Sequence, residues 1–161
     1  MTLARHLGNA VRLTAAAILV AVAVAPAAAA ALDVQTRQAL IEAINDEYQA
    51  RALYQAVIAK FGGMRPFVNI VQAETQHAEE LRALFAVYKV PAPADTHAGK
   101  VAAPATILEA CKIAVQAETK NVAMYDRFLK FVKEPDIVAV FTRLRDVSAN
   151  RHLPAFQRCA R

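Results

Sequence analysis

The sequence predicts an all-α protein, an antiparallel four-helix bundle with one long crossover between the second and third helices. Three observations carry this. Apolar residues recur three and four apart and nowhere alternate as a strand would require. The segments rich in helix breakers run short, long, short. The two halves of the chain also repeat each other in the spacing of their polar residues. A chain of 161 residues suits one domain with a substantial core better than two.

The first helix is expected to open at an Asp33 cap and to carry Leu40, Ile44, Glu47, Arg51, Tyr54 and Ile58 on one face. Phe61-Gly62-Gly63 ends it, because glycine just past the last turn takes the left-handed conformation at little cost. The second helix runs from about Pro66, a residue suited to a first turn, to about Tyr88. Pro91 to Pro104 contains three prolines and reads as the crossover. Thr106 and Glu109 form a capping box that opens the third helix. Leu108, Cys111, Val115, Glu118, Val122, Tyr125 and Leu129 share a face of it. Lys133 to Asp136 breaks the chain again, and the fourth helix carries Phe141, Leu144, Ser148, His152 and Cys159.

Residues 1–31 are expected to lie outside this domain. Arg5 and Arg12 precede and flank an uncharged run, Leu13 to Ala25, followed by a small-residue zone. That order is a secretory signal peptide, and the run is shorter than the ~20 residues of a membrane span. The expected product is periplasmic or secreted, without a stable membrane anchor, and consists of residues 32–161. Its net charge is +3 rather than the +5 of the full chain. Lys and Arg are scattered, with no basic stripe interleaved with aromatics, so no nucleic-acid footprint is present.

Glu47 and Glu118 interrupt the apolar stripes of their helices, where an unpaired charge would be costly. Glu74 and His77 are three apart and point the same way. Tyr54 follows Glu47 by seven residues, as Tyr125 follows Glu118. His77 lies 30 residues beyond Glu47, and His152 lies 34 beyond Glu118. A duplicated hairpin would place these residues face to face. Carboxylates with neutral imidazoles suit iron or manganese and, less selectively, zinc. Glu47, Glu74, His77, Glu118 and His152 are therefore the metal-ligand candidates, for one or two ions. A complete two-sided pattern wants a glutamate three residues before His152, and Ala149 stands there. Ser148 lies on a compatible face. Ion pairing without metal is the competing reading, with Arg51 the natural partner for Glu47. Tyr54 and Tyr125 read as core residues that can also support the site with Arg51 and Ser148. His97 reads as a loop histidine, and Glu79 and Glu80 as surface charge, Glu80 at the edge of the His77 face. Cys111, seven before Glu118, and Cys159, seven after His152, fall on the same side of the site and predict a disulfide.

The strings EYQARALY from Glu47, PFVNIVQAETQHAEEL from Pro66, ETKNVAMYD from Glu118 and NRHLPAF from Asn150 resemble the ferritin-like superfamily. The nearest resemblance is to its exported or cytosolic bacterial branch with a domain of unknown function. It covers nearly all of residues 33–161 and implies a di-iron-type bundle with the five ligand candidates above. Ala149 is the departure from the pattern. The functions to be separated are a metal-dependent oxidoreductase acting on oxygen, peroxide or iron with an electron donor, a non-catalytic metal buffer, and a structural or partner-binding bundle. A b-type haem between His77 and His152 is a lesser variant, and c-type attachment lacks its C-x-x-C-H string. A monomer or small homo-oligomer is expected.

Overall fold

The computed structural model describes residues 31–161; residues 1–30, and with them all but the last residue of the expected signal segment, lie outside it. The described chain is all-helical: α1 (Val34–Phe61), α2 (Phe67–Val87), α3 (Ile107–Phe128), and a fourth helix in three stretches. Those are α4 (Pro135–Val147), a wide π-turn (Ser148–His152) and α5 (Leu153–Cys159). No helix among the described residues is long and apolar enough to cross a membrane.

Helix starts follow the local chemistry. Asp33 Oδ1 accepts from the N–H groups of Gln35 and Thr36 at 2.8 and 3.0 Å, satisfying donors that the first turn leaves free. Thr106 Oγ1 accepts from Glu109 N–H at 3.1 Å, and the Glu109 carboxylate reaches back to Ala105 N–H at 3.0 Å. Gly62, with φ of 84°, turns the chain out of α1 while its N–H still bonds to the Ile58 carbonyl.

Two apolar clusters fix the helix directions. At one end Leu40 and Ile44 of α1 meet Leu81 and Phe85 of α2, Tyr125 and Phe128 of α3, and Phe141 of α4. At the other end Tyr54 and Val57 meet Phe67 and Ile70, Cys111 and Ala114, and Phe156. The start of α1 thus packs on the ends of α2 and α3, so both run antiparallel to α1 and parallel to each other. Two parallel neighbours in sequence need a long return, and residues 88–106 supply it. Arg51 anchors that crossover to α1 through Asp95 at 2.7 Å.

The expected Cys111–Cys159 disulfide is present, with Cα atoms 5.6 Å apart. It ties α3 to the end of the fourth helix beyond Pro154. A proline in a regular helix crowds the carbonyl four residues back, here Asn150. The π-turn lies at that point, closed by the Leu153 N–H on the Ser148 carbonyl. Ser148 is buried with His152, in keeping with its place on the face of Phe141 and Leu144, whereas Ala149 is only half-buried. The inward position preceding His152 therefore belongs to a serine four residues back.

Candidate metal centre

Between the two apolar clusters lies a layer of buried polar side chains contributed by all four helices. Glu47, Glu74, His77, Glu118 and His152 are each at most 5% exposed. Five ionisable groups at that depth require one another or a bound ion.

Glu74 is the centre of the arrangement. Its Oε2 lies 3.1 Å from His77 Nδ1, and its Oε1 lies 3.1 Å from His152 Nδ1. Glu47 Oε2 is 3.1 Å from His77 Nδ1, and Glu118 Oε2 is 3.5 Å from His152 Nδ1. Two triads result, Glu47–Glu74–His77 and Glu74–Glu118–His152, each with ligand atoms within 4.8 Å of one another. They share Glu74.

The tyrosines complete the pseudo-symmetry by crossing over. Tyr54 donates to Glu118 Oε1 and Tyr125 donates to Glu47 Oε1, both at 2.7 Å. Each hydroxyl thus orients the glutamate of the opposite half, while its ring remains in the apolar core. Burial, followed by the negative glutamates nearby, holds both phenols well above their ordinary pKa, so they stay donors.

The other supporting candidates divide. Arg51 turns to Asp95 and stacks over Tyr48, 5.1 Å from the ring centroid, instead of neutralising Glu47. The reason is reach: the crossover brings Asp95 to the outer side of α1, where Arg51 keeps a partly hydrated charge. Ser148 is buried on the inner face of the fourth helix. Glu80 pairs with Arg143 at the surface, Asp146 with Arg145, and His97 is half-buried in the crossover. Sequence reasoning missed Asp46 and Asn121. The Asn121 amide donates to Asp46 Oδ2 at 2.8 Å and Glu47 Oε1 at 3.3 Å. The available signal was spacing, since Asn121 stands one turn after Glu118.

Charge within the layer is balanced by protons in the absence of metal. Burial works against charged imidazoles, but the carboxylates of Glu47 and Glu74 beside His77, and of Glu118 and Glu74 beside His152, prevail, pushing His77 up to about 10 and His152 up to about 9. Burial alone would raise Glu74, yet its contacts with His152 and His77 hold it below the usual carboxylate range. Burial, then repulsion from Glu74, pushes Glu47 up to about 7. The stabilisation from an imidazolium is fully present below its unfolded pKa of about 6.5 and is lost as pH rises through the folded value. Metal-free protein is therefore expected to lose melting temperature as pH rises through about 9 to 10. A His77→Gln variant should show a smaller loss over that window; equal losses would contradict the assignment.

The donor set fits a metal. Glu74 Oε1 and His152 Nδ1, although 3.1 Å apart, are not aligned for a hydrogen bond, and both are buried without one. A cation beside them would satisfy both, and each triad offers oxygen and nitrogen donors. Haem fits less well. The His77 and His152 rings stack with centroids 5.6 Å apart, and both Nδ1 atoms contact Glu74, leaving no space for a macrocycle between them.

No protein-family model matches the chain, and no curated protein matches it. Among solved structures it is similar to a hypothetical protein from Methanococcus jannaschii, with a TM-score of 0.74 and 21% identity over 84% of this chain and 85% of that one. At that identity the likeness shows the fold, an all-α helical bundle.

Proposed function

We propose that this chain is an exported metal-binding protein of ferritin-like type, whose buried centre holds two iron ions sharing Glu74. The observation that carries the reading is the placement of one histidine on each oxygen of a single buried carboxylate, with a second glutamate completing each half. Glu47 and His77 would hold one ion, and Glu118 and His152 the other. Manganese suits the same donors, and zinc satisfies them less selectively.

Bound iron would supply electron exchange with dioxygen, peroxide or external iron. The chain's own residues do the rest. Tyr54 and Tyr125 fix the orientation of Glu118 and Glu47, a type of support whose loss typically weakens metal binding ~10–100-fold. His77 and His152 give up their protons when they ligate, so binding releases acid and weakens at low pH. The apolar clusters close the two ends of the bundle on either side of the centre. Export is supported by the disulfide, which fits an oxidising compartment.

A metal buffer without turnover is the second reading. Ser148 favours it, because the fourth helix adds no second shared carboxylate beside His152. Ferrous iron mixed with the protein under air divides the two. A catalyst should oxidise iron over repeated additions, with peroxide formed or consumed in proportion. Binding followed by oxidation no faster than in protein-free buffer would leave the buffer reading.

A further inference from the structure

A cavity of about 240 Å³ lies between α1 and α3 and reaches the centre from one side. Its lining includes Gln49, Gln116 and Lys120, all exposed, and Glu74 and Glu118, both buried. Of the five ligand candidates only Glu74 and Glu118 border it; Glu47, His77 and His152 do not. The two halves of the centre, nearly symmetric in their ligands, are therefore unequal in access.

The cavity wall carries groups suited to a positive ion. Asp46 borders it, held by the Asn121 amide at 2.8 Å. Asn121 is only 5% exposed, and its Oδ1 is buried without a hydrogen-bond partner. Glu74, 2% exposed, likewise leaves Oε1 without one. Unpaired acceptors along a path call for a donor or a cation. Lys120 is an exposed member of the lining, and its positive charge opposes an approaching cation.

We propose that this cavity is the loading path of the centre: a hydrated divalent cation passes Lys120, exchanges water for the oxygens of Asp46 and Asn121, and is delivered to the Glu118 side. Glu74 then hands ions on to the closed half with Glu47 and His77. The inference rests on the metal reading above and adds a direction and an order to it. Ala50 and Ala117 line the same cavity, so a larger side chain at either narrows the path without touching a ligand.

The experiment follows cobalt(II) absorbance after rapid mixing with metal-free full-length protein, using wild type, Ala117→Leu, Ala50→Leu and Lys120→Glu. Narrowing should slow loading about tenfold, a barrier increase of about 1.4 kcal/mol, with the final stoichiometry unchanged. Lys120→Glu should accelerate loading at low salt, and the gain should vanish at high salt. Wild-type rates in all three variants, with full final occupancy, would overturn the path. No cobalt bound by the wild type would instead overturn the metal reading beneath it. Should one leucine variant misfold, the other and the charge reversal still decide the matter.

Discussion

Replacing Glu74 with glutamine is expected to empty the centre of both ions, whereas Glu118→Gln should empty one half and leave the other. Glu74 is the only carboxylate common to the two triads, and each of its oxygens faces a different histidine. Glutamine keeps the volume and loses the charge, so the core should remain packed. Loss of an outer hydrogen-bond partner already costs ~10–100-fold in affinity, and a shared charged ligand should cost more at each ion. Metal content by mass spectrometry of folded protein, alongside circular dichroism, reads the result. Equal metal loss in Glu74→Gln and Glu118→Gln would point to a single ion on the Glu118 side.

The second large effect concerns the disulfide. Cys111 and Cys159 are 48 residues apart in sequence, and their link restricts the unfolded chain over that span. The chain-entropy description gives about 4 kcal/mol for a loop of that length. For a domain of this size the melting temperature should fall by roughly 15 °C in Cys159→Ser. The segment it holds has few other anchors: α5 spans seven residues, with Phe156 its one buried side chain. Metal binding by the reduced protein should persist, since Cys111 belongs to the apolar cluster beyond the polar layer. A shift of only a few degrees would mean that Phe156 and its aromatic neighbours hold the terminus unaided.

The features legible in the sequence share a cause. Glu47 and Glu118 stood out because a charge within an apolar stripe violates the helical pattern, and both are buried in the layer. The caps at Asp33 and Thr106, and the pairing of Cys111 with Cys159, depend on local geometry or on helix rise, which a sequence carries directly. Features made by tertiary approach were less legible. The partner of Arg51 sits in an irregular crossover with no period to read. Asp46 lies beside the stripe and gains its role from the Asn121 amide of another helix. The crossing of Tyr54 to Glu118 and Tyr125 to Glu47 required the two halves to be docked, although their common spacing was visible. A proline inside a helix, such as Pro154, distorts it wherever it stands. The inward face of Ser148 was legible from its spacing to Leu144 and His152, whereas only the structure shows that the distortion takes the form of a π-turn.

Glutamates and histidines so deeply buried remain compatible with charge balance by protons alone, so the central claim turns on occupancy. Elemental analysis of protein isolated from its own compartment without chelators tests it most directly. The account predicts close to two transition-metal ions per chain, predominantly iron. Protein free of transition metal on isolation, and still free after anaerobic ferrous loading, would contradict it.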